Sequence, residues 1–347
     1  MSLGLYLHIP YCFSKCRYCD FYSHPGERGV PDAYVEALVR ELDRFAPERP
    51  LQPDTLYFGG GTPSILEPRV LTGILQAVRD HFAIDPAAEI TVECNPSKDL
   101  TGDMEQYAAA GINRVSIGMQ SAVDRERFAL GRRAGSGEVA RTVAAAKTAG
   151  ITNISLDVML GTPKQTLDSL EETFAFIARM QVTHISAYLL KIEPGTPFDR
   201  LQAKLALPEE DTVCQMYLQT VERLGQLGFA QYEISNFARP GYESRHNLKY
   251  WLLEPYLGLG PSAHSLWNGR RFYFDRDWIW QDEGPGGDRE EQILLGLRLN
   301  RGIPEDWLTR DPAPYIAGGF MRRANGRISL TPRGMLVSNT ILAELLD

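Results

Sequence analysis

The sequence predicts an α/β fold built on a parallel sheet, followed by a smaller α+β region at the C-terminal end. Two observations favour this class: β-prone runs alternate with helical stretches over roughly the first two hundred residues, and the pattern changes after Lys191. Parallel strands need crossover connections of about a dozen residues or more, and each helical stretch supplies one. The alternation leaves open whether the sheet is flat or closes towards a barrel.

Six β-prone runs form the predicted sheet, and five helical stretches connect them. In the second helical stretch, Val70, Ile74 and Val78 fall on one face, as expected for a helix that packs on a sheet. Gly150 directly follows the fourth stretch and is predicted to cap it. The predicted strands are 3–8, 55–58, 89–93, 114–119, 153–159 and 184–190, and the predicted helices are 31–45, 68–82, 101–110, 137–149 and 166–180.

Beyond a turn-rich exit at 192–197, the chain has a different character. An amphipathic helix is predicted over 209–227, the stretch 232–274 is rich in aromatic residues, Pro and Gly, and 284–287 has the composition of a flexible linker. We therefore expect three regions. They are a sheet-forming domain over 1–205, a segment over 206–283, and a small winged-helix-like domain over 284–347 with helices at 288–299 and 332–346 around a strand at 327–330.

Composition excludes several classes of protein. The chain has 347 residues, and its 36 Lys and Arg against 44 Asp and Glu give a net charge of −8. This balance argues against a general nucleic-acid binder, because neutralising phosphates requires a basic face. No window approaches the ~20 apolar residues that span a bilayer, and the first residues do not resemble a signal peptide. These features predict a cytoplasmic protein.

Three of the five cysteines, Cys12, Cys16 and Cys19, lie within eight residues directly after the first predicted strand. Thiolates are soft ligands that suit zinc or iron–sulfur clusters. Three thiolates do not complete a tetrahedral zinc site without a fourth ligand, whereas a cubane cluster held by three cysteines leaves one iron open for an exchangeable ligand. The structural alternatives are a zinc loop completed by His24 and three unligated core cysteines.

Glycine and polar residues follow the next predicted strands. Gly59–Pro63 comes directly after the second strand, and its three glycines let the backbone approach a ligand closely. Glu93 and Asp157 end two other strands, where carboxylates suit ribose hydroxyls or an ammonium group. Gln120 follows a further strand, and Arg132 has the bidentate geometry that suits a ligand carboxylate.

The C-x3-C-x-aromatic-C loop after a first strand resembles that of the radical S-adenosylmethionine superfamily. The resemblance implies an incomplete (β/α)6 barrel with a [4Fe–4S] cluster on Cys12, Cys16 and Cys19 at its C-terminal mouth. It also implies that the open iron binds the amino and carboxylate groups of S-adenosylmethionine, and that Tyr18 packs on the adenine. The implied cofactor site comprises Tyr6, Tyr18, Gly60, Gly61, Thr62, Glu93, Gln120, Arg132 and Asp157.

Within that superfamily, the motifs are similar, in order, to those of the oxygen-independent coproporphyrinogen III oxidase family. They are Tyr6–Cys12, Gly59–Pro63, Val92–Pro96, Gly118–Ser121 and Asp157–Pro163. The oxidases carry a fourth cysteine where this chain has Phe21, and an extension before the cluster loop, whereas Cys12 lies near the start here. Both departures favour the heme chaperone (HemW-type) branch of the family.

The segment His246–Trp251 matches the H-N-x-x-Y-W motif of that branch. Histidine is a common axial ligand of heme iron, and Tyr250 and Trp251 offer apolar faces for a macrocycle. We therefore expect His246, Tyr250 and Trp251 to bind heme, with Arg245 and Lys249 beside the propionates. The structural alternative is a satisfied hydrogen-bond network in a loop. Tyr256, His264 and Trp267 lie nearby in the sequence.

The resemblance implies a heme chaperone that carries a [4Fe–4S] cluster and exchangeable S-adenosylmethionine and delivers heme to acceptor proteins. It assigns no catalytic residue, and the expected partners are heme and its acceptors, with membrane contact only through those acceptors. Two alternatives remain. One is a true oxidase that converts coproporphyrinogen III to protoporphyrinogen IX by oxidative decarboxylation, and the other is a non-catalytic interaction protein with a structural cluster.

Overall fold

The computed structural model describes residues 2–25, 31–45, 51–97 and 100–346. Six parallel strands in sequential order form the centre of a large sheet, which confirms the predicted α/β class. Each predicted strand is present, and its ends are unchanged or shifted by at most three residues. The strands are β1 (Ser2–Ile9), the short pair β2 (Tyr11–Cys12) and β3 (His24–Pro25), β4 (Gln52–Gly60), β5 (Glu89–Cys94), β6 (Arg114–Gln120), β7 (Asn153–Leu160) and β8 (His184–Leu189).

Helices connect these strands and cover the outer face of the sheet. Leu3, Leu5 and Leu7 of β1 are fully buried in the core, since a parallel sheet is covered on both faces. Gly150 follows the fifth helix with a φ of +91°, which confirms the predicted cap. The helices are α1 (Asp32–Phe45), α2 (Pro68–His81), α3 (Leu100–Ala109), α4 (Asp124–Ala129), α5 (Ser136–Thr148) and α6 (Leu167–Met180).

Strands from the middle of the chain extend both edges of the same sheet. At one edge β11 (Tyr256–Leu259) pairs in parallel with β1, and three antiparallel strands follow; at the other, β10 (Asn236–Ala238) pairs with β8. The predicted segment 206–283 is therefore hydrogen-bonded into the sheet, although the predicted domain division itself stays a prediction. These strands are β9 (Ala230–Gln231), β10 (Asn236–Ala238), β11 (Tyr256–Leu259), β12 (His264–Trp267), β13 (Arg270–Phe274) and β14 (Trp280–Pro285).

The linker predicted over 284–287 is wrong in its first half. Gly284 and Pro285 belong to β14, where they pair with Arg271 and Arg270. A glycine and a proline are tolerated there because β14 is the edge strand of the sheet.

The rest of the chain forms helices and a three-stranded sheet whose central strand is Arg327–Leu330, which confirms a small α+β region. The helix predicted over 332–346 is two helices that meet at Val337. No helix in the described part of the chain is long and apolar enough to cross a membrane. The elements are α7 (Pro197–Leu201), α8 (Glu210–Gln226), α9 (Arg245–Leu252), α10 (Arg289–Gly296), β15 (Ile303–Pro304), α11 (Ala313–Ala317), β16 (Met321–Ala324), β17 (Arg327–Leu330), α12 (Pro332–Leu336) and α13 (Ser338–Leu346).

Candidate functional site

A cavity of about 440 Å³ lies at the C-terminal ends of the parallel strands. The loop after β1, the glycine turn after β4 and the ends of β5, β6 and β7 all contribute to its wall, as the strand-end residues of the sequence predict. It gathers eight of the nine residues expected at the cofactor, together with all three loop cysteines: Tyr18, Gly60, Gly61, Thr62, Glu93, Gln120, Arg132, Asp157, Cys12, Cys16 and Cys19.

Tyr6 is the exception among the expected residues. Its ring stacks on Tyr57, with 6.1 Å between centroids, and its hydroxyl lies 3.1 Å from Nδ1 of His8. Tyr57, which the sequence did not single out, lines the cavity instead. Both residues point to the inner face of the sheet from adjacent strands, where Tyr6 is paired with Tyr57.

The three cysteines are free thiols on one loop. Cys12 is buried, with its Sγ 3.4 Å from Oγ1 of Thr62. Two backbone hydrogen bonds of Arg17 hold the middle of the loop: its N–H donates to Leu130 O (3.1 Å), and its carbonyl accepts from Phe198 N–H (3.0 Å). The loop thus presents three thiols towards one cavity from a backbone that is anchored elsewhere in the fold.

Three thiols on one loop are the donor set that a [4Fe–4S] cluster needs. Nowhere in the described part of the chain do three His, Cys, Asp or Glu side chains converge closely enough to hold one metal ion. A four-iron cluster does not need such convergence, because each cysteine binds a different iron. His24, the fourth ligand in the zinc alternative, has its Nε2 2.7 Å from the hydroxyl of Tyr22, and its Nδ1 has no partner among the described residues. The donor set therefore fits a [4Fe–4S] cluster.

Glu93 and Asp157 are the two carboxylates of the cavity wall that the sequence predicts at the cofactor. Oε1 of Glu93 accepts a hydrogen bond from the Tyr57 hydroxyl (2.9 Å), and Oε2 accepts one from Gly60 N–H (3.2 Å). Although part of the side chain faces the cavity, desolvation by the surrounding protein, with a contribution from Asp157, raises the pKa of Glu93 to about 7. Burial also raises the pKa of Asp157, which accepts a hydrogen bond from the Ser116 hydroxyl (3.0 Å).

Arg132 completes the polar wall. One terminal nitrogen donates to Asn95 Oδ1, and the other to the Tyr18 hydroxyl (3.2 Å). Burial raises the pKa of Tyr18 to about 12, and the guanidinium opposes that rise. Nε of Arg132 is buried without a hydrogen-bond partner in the described structure. A buried donor of this kind is costly unless a ligand accepts from it.

Arg114 and Asn247 are among the polar residues of the cavity wall that the sequence did not predict at the site. Arg114 is 1% exposed, and its Nε and Nη1 have no hydrogen-bond partner among the described residues. It is the first residue of β6, so the signal was a charged residue at the start of a strand whose other residues are uncharged. Asn247 belongs to the His246–Trp251 segment, which connects that segment to the cavity.

His246 itself is fully buried between the first two parallel strands and α9. Its Nδ1 lies 2.8 Å from Thr55 Oγ1, and its Nε2 lies 2.8 Å from the Tyr250 hydroxyl. Its ring stacks on Tyr57, with 5.2 Å between centroids. Burial lowers the pKa of His246 to about 3, so the imidazole is neutral. With both ring nitrogens engaged, neither is free to bind iron in this arrangement.

The other members of that segment are also engaged. Trp251 lines a separate cavity of about 80 Å³, which is too small for a macrocycle. Nζ of Lys249 lies 2.9 Å from Asp54 and 3.1 Å from Glu254. Arg245 contacts Asp54 at 3.5 Å. The structure thus shows the hydrogen-bond network that the sequence left as the alternative, while the heme-binding role of His246, Tyr250 and Trp251 stays a prediction.

Comparisons with known proteins identify relatives of this chain. Residues 6–177 match the model of the Radical SAM superfamily. The chain is 35% identical over 368 aligned residues to the heme chaperone HemW of Mycobacterium tuberculosis H37Rv, which covers 99% of this chain and 94% of that protein. The HemW of Escherichia coli K12 is 38% identical over 267 residues, with 76% of this chain and 70% of that protein covered.

A mouse relative and a solved structure extend the comparison. The mitochondrial radical S-adenosyl methionine domain-containing protein 1 of Mus musculus is 35% identical over 309 residues, covering 88% of this chain and 66% of that protein. The coproporphyrinogen III oxidase HemN from Escherichia coli superimposes with a TM-score of 0.84 over 99% of this chain and 90% of that chain, at 22% identity. That likeness confirms the fold. From its relatives over nearly the whole length, we conclude that the chain belongs to the heme chaperone HemW family of the radical SAM superfamily.

Proposed function

We propose that this chain is a heme chaperone that carries a [4Fe–4S] cluster and exchangeable S-adenosylmethionine and delivers heme to acceptor proteins. The observation that carries the proposal is the likeness to curated HemW proteins over 99% of the chain. The cavity supports it, because the three cysteines and eight of the nine expected cofactor residues line it. A cytoplasmic location is part of the proposal, since free thiols that bind a cluster must stay reduced.

In this proposal Cys12, Cys16 and Cys19 hold the cluster. When bound, the cluster supplies one iron with an exchangeable coordination position. The glycine turn beside the cysteine loop has no room for side chains. A Cβ at Gly60 would come within 2.5 Å of the His8 ring, and one at Gly61 within 2.5 Å of the Tyr11 carbonyl oxygen. Gly60 also has a φ of +111°, which favours glycine. Side chains at either position would therefore distort the turn.

The polar wall suits the charges of S-adenosylmethionine. The free Nε of Arg132 is a donor for the cofactor carboxylate, and Glu93 and Asp157 are acceptors for its ammonium group or ribose hydroxyls. Tyr18, Gly60, Gly61, Thr62 and Gln120 complete the proposed contacts. A volume of about 440 Å³ suits one ligand of this size. Heme, which is larger, must bind outside a cavity that the cofactor fills.

Heme transfer tests the proposal directly. The cluster-loaded protein is incubated with hemin, separated from excess hemin, and mixed with a heme-free b-type cytochrome. We expect about one heme per chain and its appearance in the cytochrome, measured by the absorption spectrum of the acceptor after separation. The control is the same amount of hemin on serum albumin, which holds heme without a delivery function. Failure to take up or to pass on heme contradicts the proposal.

A second assay addresses the oxidase alternative. Phe21 stands where the oxidases carry a fourth cysteine, and its side chain is 66% exposed. With coproporphyrinogen III, S-adenosylmethionine and a strong reductant under anaerobic conditions, we expect no conversion. Multiple turnovers to protoporphyrinogen IX, detected by chromatography, would replace the chaperone function with the oxidase.

A further inference from the structure

An imidazole that binds heme iron needs one free ring nitrogen, and the six histidines of this chain differ in that respect. Four of them use both ring nitrogens in hydrogen bonds with neighbouring side chains or backbone carbonyls. They are His8 with Tyr6 and Tyr22, His81 with Ala77 and Asp43, His184 with Ser155 and Tyr232, and His246 with Thr55 and Tyr250. In the described part of the chain, His24 and His264 keep one nitrogen without a partner.

These two remaining histidines have different partners at the nitrogen that is engaged. His24 contacts a phenol, with its Nε2 2.7 Å from the Tyr22 hydroxyl. His264 contacts a carboxylate, with its Nδ1 2.9 Å from Oε2 of Glu283. A carboxylate that accepts the proton of one ring nitrogen fixes the tautomer and makes the other nitrogen a better metal ligand. The pair of His264 and Glu283 therefore has the arrangement that protein metal sites use.

The surroundings of His264 leave its free nitrogen accessible. The imidazole is the first side chain of β12, and 53% of it is exposed. Its ring stacks on Tyr273 of the neighbouring strand, with 4.7 Å between centroids, which holds the plane of the imidazole. Strand alternation puts Ile279, 57% exposed, on the same face of the hairpin as Tyr273. An exposed apolar side chain beside an oriented imidazole suits a porphyrin.

The hairpin that carries Tyr273 and Glu283 also contacts the region of the cluster loop. The guanidinium of Arg276, at its tip, lies 5.0 Å from the ring centroid of Tyr22. Trp278 packs on Tyr34 at 5.6 Å. Tyr22 follows the last cysteine of the loop by three residues. This side of the sheet is thus next to the cluster end of the molecule but outside the cavity that the cofactor fills.

We propose that His264, oriented by Glu283 and Tyr273, is the residue through which this chain binds the iron of heme. The inference rests on the proposed chaperone function and names its heme site. Nε2 donates its lone pair to the iron, and no electron is transferred. One protein ligand on an exposed sheet face leaves the opposite side of the porphyrin open, so an acceptor protein can approach the iron before this chain releases it.

The test uses cluster-loaded protein titrated with hemin, with the imidazole signature read from optical and electron paramagnetic resonance spectra. We expect His264→Ala to lose at least tenfold in affinity together with that signature, and added imidazole to restore the signature. Glu283→Gln keeps the ligand but loses its carboxylate, so we expect a loss of about tenfold. His24→Ala is the matched control and should bind heme as the wild type does. All three positions are exposed, and thermal unfolding checks that each variant is folded.

The outcomes separate this inference from the function on which it rests. A wild-type protein that takes up no heme would overturn the chaperone function itself. A His264→Ala variant that binds heme with the wild-type affinity and signature would overturn only the site. Loss of the signature in His24→Ala, with His264→Ala unchanged, would assign the iron to His24 and likewise overturn it.

Discussion

The cavity at the strand ends and the His246–Trp251 segment are both rich in polar and aromatic residues, yet their polar groups are satisfied in opposite ways. In the cavity, Arg114 and Arg132 keep buried donors without partners. In the segment, both ring nitrogens of His246 and the ammonium of Lys249 have partners at 2.8–3.1 Å. Because an unpaired buried polar group costs about 1–3 kcal/mol, the unpaired donors in the cavity wall suit a ligand that accepts from them, whereas the paired groups of the segment stabilise the fold.

The largest effect is expected in the cavity, where removing one of the three loop cysteines should abolish cluster binding. Wild-type protein reconstituted anaerobically should hold about four iron and four sulfide per chain and absorb near ~400 nm. Cys16→Ala should hold no cluster, because two thiolates remain. The control is Cys214→Ala on α8, a half-buried cysteine outside the cavity, which should keep the cluster. Stoichiometric zinc without sulfide in the wild type would contradict the cluster assignment.

In the His246–Trp251 segment, loss of a side chain should instead lower the free energy of unfolding. His246→Ala removes a fully buried ring and leaves the hydroxyls of Thr55 and Tyr250 without their partner, so we expect a loss of about 2–4 kcal/mol. Urea unfolding of the cluster-free protein measures it. His81→Ala is the control, since that side chain is near the surface.

The same variant decides whether His246 is structural. Heme uptake per folded molecule should be unchanged in His246→Ala, measured at a temperature where the variant is folded. An unchanged urea midpoint together with lost heme uptake would reverse the assignment and restore His246 as the iron ligand.

The sequence is sufficient to predict that the cavity residues meet, but not to predict the surroundings of His246, and the reason is physical. Cys12, Glu93 and Asp157 lie at the ends of strands whose parallel order follows from local periodicity, so their meeting at one edge is predictable. The partners of His246 are not local: Thr55 lies 191 residues away, on β4. Only the tertiary fold shows that α9 packs on this strand, and a motif alone does not distinguish a ligand from a hydrogen-bond network. The strands β9–β13 were missed because they are only two to five residues long, too short for a periodic pattern, and β14 was missed because it ends in a glycine and a proline.

A conservative substitution of Arg132 tests whether its unpaired Nε contacts the cofactor. Arg132→Lys keeps the charge but removes Nε and the planar fork, so S-adenosylmethionine should bind about tenfold more weakly. Equilibrium dialysis of the cluster-loaded protein measures the dissociation constant. Arg133→Lys, at the adjacent exposed position, is the control and should bind as the wild type does. Equal affinity in the two variants would mean that Nε contacts no cofactor carboxylate.

The smallest expected effects are two pH dependences of opposite sign. The pKa of Glu93 in the folded protein, about 7, lies above its ordinary value of 4.5, so its contribution to stability is lost as the pH rises from 4.5 through 7. The pKa of His246, about 3, lies below its ordinary value of 6.5, so burying the neutral ring costs increasingly more as the pH falls from 6.5 towards 3. Each slope is at most about 1.4 kcal/mol per pH unit.

Urea unfolding of cluster-free protein at several pH values separates these two contributions. Glu93→Gln should gain stability relative to the wild type as the pH rises from 5 to 7.5. This is roughly the range between the ordinary pKa of the Glu93 carboxyl, 4.5, and its pKa in the folded protein, about 7. The stability deficit of His246→Ala should shrink as the pH falls from 6.5 to 4.5, because only the wild type then pays for keeping its imidazole neutral. Glu290→Gln, at an exposed position, controls for the change of charge. Parallel pH profiles for the wild type and both variants would show that Glu93 and His246 are not desolvated as the structure implies. The electrostatic difference between the cavity and the His246–Trp251 segment would then be wrong.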